Sequence, residues 1–121
     1  MQESGEMYLE TILVLSQKKG NIRAIDICDE MGYSKPSVSR ALKLLREDGY
    51  VEVNESGYIT LTKSGELIAN RILERHTVLT KLFVGLGVDE QTALSDACKI
   101  EHTISDTTFN AIKKHFEAHA E

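Results

Sequence analysis

The sequence predicts a mostly α-helical chain in which six helices are interrupted once by a β-hairpin. Three observations carry this. Apolar residues recur at i, i+3, i+4 and i+7 through most of the chain. Two short segments, YVEV over 50–53 and YITL over 58–61, alternate apolar and polar residues around the turn sequence NESG. Capping residues and glycines stand where each helical pattern starts and stops, as Ser34, Thr62, Asp89 and Ser105 at starts and Gly20, Gly32, Gly49 and Gly87 at ends.

Taken in order, Met7, Leu9, Ile12, Leu13 and Leu15 give a first helix over 6–18, opened by Ser4 and Gly5 and closed by Gly20. Ile22 is placed to pair as a short strand. Ala24, Ile25, Ile27, Cys28 and Met31 make a second, short helix that stops at Gly32. The third helix covers 34–48, SKPSVSRALKLLRED, with Ser34 as N-cap and Pro36 in the first turn, where a missing N–H does no harm. Val38, Ala41, Leu42 and Leu45 form its inward stripe; Lys35, Ser37, Ser39, Arg40, Lys43 and Arg46 occupy the other face. Four cations thus precede Glu47 on one helix of a chain whose formal net charge is −5. Such a face suits a polyanion, the alternative being an ordinary solvated surface. A short helix, a glycine-containing turn and an amphipathic helix with cations outward make a helix-turn-helix. The hairpin directly after it is then a wing, able to lie along phosphates while the helix enters the major groove. Residues 1–62 are therefore expected to be a winged helix-turn-helix that binds double-stranded DNA.

Thr62 caps a long helix reaching about residue 86, with Leu67, Ile68, Ile72, Leu73, Leu79, Leu82 and Phe83 on its apolar face and Gly85 and Gly87 at its end. Asp89 opens a fifth helix through Ala93, Leu94, Ala97 and Cys98 to Glu101 and His102. Ser105 opens the last, with Phe109, Ile112 and Phe116 inward. Residues 63–121 thus form a helical domain with more apolar surface than a lobe of this size needs. A homodimer is the natural use of it, since half-site DNA readers are usually two-fold dimers.

The totals are those of a soluble globular protein: 121 residues, 41% hydrophobic and 27% charged, with one proline. No apolar run approaches the roughly 18 residues of a membrane span. The N-terminal MQESGEMY has neither region of a signal peptide. No membrane partner and a cytoplasmic location are expected. Two cysteines, Cys28 and Cys98, make no disulfide framework, and Cys28 falls inside an apolar helix pattern as core.

Cys98, Glu101 and His102 stand at i, i+3, i+4, so their side chains leave one helix face within reach of a single ion. Thiolate, carboxylate and imidazole are all good transition-metal ligands. Met7 and Glu10, also i, i+3, offer a thioether and a carboxylate, and His76 lies mid-helix among Glu74, Arg75 and Thr77. Each of these three has an ordinary alternative: Met7 as core, Glu10 as solvated face, His76 as a hydrogen-bonded surface histidine.

EMYLETI, RAIDICDEMGYSKPSVSRALKLLREDGYV, LTKSGELIA with RH following, and above all LGVDEQTALSDACKIEH resemble the iron- and manganese-dependent repressors of the diphtheria toxin repressor and manganese transport regulator family. The resemblance runs from Glu3 to about Ile112. It implies an N-terminal winged helix-turn-helix, a helical dimerisation domain and divalent metal bound between them. It places the ligands on Met7, Glu10, His76, Cys98, Glu101 and His102, and the DNA-reading end of the third helix on Ser34, Pro36, Ser37, Ser39 and Arg40, beside which Lys35 and Lys43 add cations. In length the chain resembles the manganese branch, having no counterpart of the C-terminal β-barrel of larger iron regulators. That branch, however, has aspartate where Met7 stands and glutamate where Cys98 stands, so the ligand set resembles the iron branch. The acid and the histidine of the iron branch's ancillary site correspond to Thr80 and Leu94, which leaves a second ion open.

Softness points the same way, because thiolate and thioether suit softer ions than manganese(II), which prefers oxygen and nitrogen. Fe(II) is the expected physiological metal and Mn(II) the second, with Co(II), Ni(II) and Zn(II) binding in vitro along the Irving–Williams order. The expected function is a metal-activated homodimeric repressor of a palindromic operator controlling metal-homeostasis genes. Two rivals stand beside it: a thiol-redox repressor using Cys98, and a small metalloenzyme with Cys, Glu and His on zinc. No phosphate loop, nucleophile elbow or second carboxylate pair supports the enzyme.

Overall fold

The structure, a computed structural model, describes residues 2–119. Among these it has six helices and one two-stranded sheet: α1 (Glu3–Lys19), α2 (Ala24–Met31), α3 (Lys35–Glu47), β1 (Val51–Val53), β2 (Ile59–Leu61), α4 (Lys63–Gly85), α5 (Glu90–Ile100) and α6 (Asp106–His119). This is the mostly α, winged helix-turn-helix plus helical-domain class that the sequence predicts. The chain divides into two compact units, Met1–Asn70 and Arg71–Glu121, the division falling within α4.

In the first unit α1 packs on α2, α3 and β2, and α3 packs on β1. Leu9, Ile12, Ile22, Ile27 and Val38 are wholly out of water. Each contributes about 1.5–3 kcal/mol of burial. α1 starts three residues earlier than its apolar pattern, with Glu3 and Glu6 in its first turn, where acidic groups complement the helix dipole. At the start of α2 the Asp26 carboxylate accepts the Arg23 N–H at 2.8 Å, and Gly32, at φ 71°, ends the helix in a conformation that favours glycine. The Ser34 hydroxyl caps α3 by accepting the Ser37 N–H at 3.3 Å.

The wing is antiparallel, with Val51 opposite Leu61, Glu52 opposite Thr60 and Val53 opposite Ile59. Ile22 pairs with Ile59 from outside, as the sequence suggests. Asn54 Oδ1 accepts from the N–H groups of Ser56 and Tyr58, at 2.9 Å each, which folds the wing tip. The Arg23 guanidinium lies 4.5 Å from the Tyr58 ring centroid and its Nε donates to Ser56 O at 3.0 Å, tying the wing to the start of α2. Thr62 joins α4 to the base of the wing: its N–H donates to Tyr50 O at 3.0 Å and its hydroxyl to Gly49 O at 2.7 Å.

The second unit is built on Leu79, Ala97 and Phe109, with Val78, Phe83, Ile100, Ile104 and Ile112 around them. Asp89 caps α5 through the Thr92 N–H, and Ser105 caps α6 through the Thr108 N–H. Glu74 on α4 and Lys113 on α6 pair at 3.0 Å.

Two expectations are corrected. Leu67, assigned to the apolar face of the long helix, is 68% exposed. The buried stripe of α4 runs Ala69, Ile72, Arg75, Leu79, and Leu67 lies two residues, about 200° of helix rotation, from Ala69. Ile25, counted in the apolar pattern of the second helix, is likewise exposed. Among the described residues, no helix is long and apolar enough to cross a membrane.

Candidate functional site

α5 ends at Ile100, with Glu101 as its C-cap and a turn over 101–104, rather than continuing through His102. Glu101 keeps helical backbone angles and its N–H still donates to Ala97 O, so Cys98 and Glu101 remain on successive turns. α4 brings His76 against them. His76 Nδ1 lies 2.8 Å from Glu101 Oε2 and 3.7 Å from Cys98 Sγ. Donor atoms of His76, Cys98 and Glu101 all fall within 4.8 Å of one another. His102 Nε2 meets the other carboxylate oxygen of Glu101 at 3.3 Å. Four of the six predicted ligands are therefore neighbours within the second unit.

The chemistry of this cluster fits a cation. The Glu101 side chain is 1% exposed, and a carboxylate withdrawn from water needs a compensating positive charge. Imidazole, carboxylate and sulfur thus offer three donor atoms toward one point, the chemistry a transition-metal ion takes. Donors on a common ion with bonds of about 2.0–2.3 Å lie roughly 3–3.8 Å apart; His76 and Cys98, at 3.7 Å, already have that separation, and His76 and Glu101, at 2.8 Å, need open by only a few tenths of an ångström. Cys98 is exposed while Glu101 is buried, so the donor set runs from the surface inward. The other two predicted ligands, Met7 and Glu10, lie on successive turns of α1 in the first unit, both half-buried.

The predicted DNA-reading residues lie at the N-cap and along the first half of α3, with Lys43 a turn beyond them. Ser34, Lys35, Pro36, Ser39, Arg40 and Lys43 are exposed and Ser37 is half-buried. Ser34 Oγ donates to Ser37 Oγ at 2.9 Å, and Arg40 Nη2 donates to the same Ser37 oxygen at 3.5 Å. This chain holds a hydroxyl and a guanidinium side by side on an open helix face, a combination able to meet base edges and phosphates. The wing offers no cation of its own: its strands and turn carry Glu52 and Glu55.

Two side chains shape these regions without having been legible as functional. Arg75 is buried, Nη1 donating to Glu101 O at 3.1 Å and Ile104 O at 2.6 Å, and Nη2 pairing with Asp106. Arg23 fixes the wing. Only the place of Arg75 on the buried stripe of α4 marks it in the sequence.

Comparison with known proteins agrees with this layout. Residues 1–58 match the profile of the iron dependent repressor N-terminal DNA binding domain, and residues 62–120 that of the iron dependent repressor metal binding and dimerisation domain. The chain is 32% identical over 112 residues to the transcriptional regulator MntR of Escherichia coli, covering 93% of this chain and 72% of that one. It is 35% identical over 115 residues to an uncharacterized HTH-type transcriptional regulator of Methanocaldococcus jannaschii, covering 93% and 92%. Among solved structures, a manganese-dependent transcriptional repressor in complex with manganese aligns with a TM-score of 0.84 at 26% identity, over 93% of this chain and 52% of that one. T. acidophilum IdeR aligns at 0.79 and 28%, over 93% and 53%. The chain spans about half the length of these solved structures. With profiles for DNA binding and for metal binding and dimerisation following one another along nearly its whole length, the chain belongs to the iron-dependent repressor family and is a metal-dependent transcriptional regulator, not an enzyme.

Proposed function

We propose that this protein is a homodimeric repressor of metal-homeostasis genes, working in the cytoplasm, that binds a palindromic operator when loaded with Fe(II), with Mn(II) as the second choice. In this reading residues 1–62 bind DNA and residues 63–121 bind metal and dimerise. The observation that carries it is the convergence of His76, Cys98 and Glu101 donors within 4.8 Å, with His102 on the second oxygen of Glu101. Met7 and Glu10 are proposed as the first unit's donors on the family resemblance. A divalent cation supplies the charge that lets carboxylate, thiolate and imidazole share one point. Because Met7 and Glu10 belong to the unit that carries α3, their ligation favours the arrangement in which two α3 helices face successive major grooves about 34 Å apart. Ser34, Lys35, Pro36, Ser37, Ser39, Arg40 and Lys43 are the proposed DNA contacts. Exposed Val84, Leu86 and Leu94 support a dimer face in the second unit.

The soft donors Cys98 and Met7 support Fe(II), whereas the names of relatives, manganese regulators among them, support Mn(II). Operator binding titrated anaerobically with each ion, beside a chelated control, tests both. Tight binding in chelator, lost reversibly on oxidation, would replace the metal reading with a redox switch at the exposed Cys98.

A further inference from the structure

We propose that Arg75 is the positioning residue of the metal cluster: it fixes the main chain of Glu101 while its neighbour His76 meets the side chain, so consecutive residues of α4 hold this ligand at both ends. The inference rests on the metal site proposed above. The Arg75 side chain is 5% exposed. Its Nη1 donates to the carbonyls of Glu101 and Ile104, at 3.1 and 2.6 Å, and its Nη2 pairs with Asp106, the first residue of α6. The planar fork of a guanidinium can serve three acceptors in this way, whereas a lysine ammonium is a point charge on a flexible stem. These contacts fall where α5 stops and the chain turns toward α6. The carbonyl of Glu101 goes to Arg75 instead of to an N–H one turn on, and the chain leaves the helix with Glu101 pinned above α4. From there its carboxylate reaches His76 at 2.8 Å and His102 at 3.3 Å.

A merely structural tie would be made more cheaply. Arg75 takes a place on the buried stripe of α4 between Ile72 and Leu79, where an aliphatic side chain would pack without desolvating a charge. Its Nε is buried with no hydrogen-bond partner among the described residues, a further unmet cost. The Phe109 ring, 5.3 Å from the guanidinium, offers only its face. What the arginine provides that an aliphatic residue cannot is control over a turn carrying two proposed ligands.

The test uses Co(II) as the probe, on the full chain, reading both the thiolate-to-cobalt charge-transfer band and the affinity in competition with a chelator. Arg75→Lys keeps the charge and loses the fork; Asp106→Asn removes the charge from one of the three acceptors at a side chain 69% exposed, where the fold is expected to tolerate the change even if it does not tolerate the first. Both variants, with metal-free helicity unchanged, are expected to bind Co(II) more weakly, Arg75→Lys by about 10–100-fold, with an altered band. Wild-type affinity and an unchanged band in both folded variants overturn the proposal. Cys98→Ala is the parallel control. If it abolishes the band while Arg75→Lys and Asp106→Asn leave Co(II) binding untouched, the metal site stands and the positioning role falls. A Cys98→Ala protein with a wild-type band overturns the site and the positioning role together.

Discussion

Gly65 and Gly85 stand in the same helix, and the same substitution is expected to act on them with opposite signs. A Cβ added to Gly65 would lie 3.0 Å from the carbonyl carbon of Tyr50 and closer still to its oxygen, where ordinary contacts begin at 3.4 Å. The obstacle is main chain at the base of the wing, held by the Thr62 N–H at 3.0 Å, so it cannot swing aside as a side-chain tip would. Relief requires moving the start of α4 away from β1. Overpacking of this kind costs about 1–3 kcal/mol. For a unit of this size that corresponds to a fall in Tm of roughly 5–20 °C. A Cβ at Gly85 meets nothing within 4 Å, and its backbone is not in the left-handed region. There alanine restricts the unfolded chain and stabilises by about 0.4–1 kcal/mol, a few degrees upward. Thermal unfolding of the two variants side by side, followed by circular dichroism, measures both. Because Gly65 abuts the base of the wing, its variant should also bind operator more weakly with metal affinity unchanged. A Gly65→Ala protein that melts with the wild type would refute the close approach of α4 to Tyr50, and with it the account of how the wing is seated.

Arg40→Ala should weaken operator binding by about 1–3 kcal/mol if the guanidinium reads a base, measured by fluorescence anisotropy against the wild type at fixed salt; equal affinities would remove Arg40 from the interface. Cys98→Glu combined with Met7→Asp makes the donor set oxygen-rich and should shift activation of DNA binding from Fe(II) toward Mn(II); an unchanged metal preference would show that these two residues do not set it. Asp26 and Asp89 are held below the usual carboxylate range, chiefly by accepting the backbone N–H groups of Arg23 and Thr92. With folded values below the unfolded one, their contribution is present above about pH 4 and is lost as pH falls through the folded values. Asp26→Ala should therefore destabilise at pH 7, by a margin that shrinks in melts near pH 3; a constant margin would show that the ionised carboxylate is not the cap.

Much of the fold was legible because its signals are local. Ser34, Asp89 and Ser105 cap helices by hydrogen bonds to residues three further on, and the wing strands alternate around an asparagine that folds its own turn. Cys98, Glu101 and His102 were legible by spacing, although the helix they were placed on stops at Ile100. What spacing could not show was His76 arriving from another helix, which depends on how α4 packs against α5. Arg75 was hidden for a different reason. Beside Glu74 and His76 an arginine reads as solvated surface, and only its phase with Ile72 and Leu79 places it inside. Leu67 failed in the opposite sense, since a leucine at a helix start was counted inward although its rotation from Ala69 turns it out.

The acidic wing bears on how the protein finds its site. Non-specific DNA binding is almost wholly a release of counterions by lysines and arginines lying on phosphates. Here Glu52 and Glu55 occupy the strands and turn of the wing, in a chain of net charge −5, and Arg23 is turned back onto Tyr58 and Ser56. The wing itself is then not rewarded for resting on the phosphates of arbitrary sequence. An acidic wing is expected to lower affinity for arbitrary DNA relative to a basic one, with a correspondingly shallow dependence of that affinity on salt. The less arbitrary sequence competes, the more directly metal loading, in the function proposed above, would set occupancy of the operator.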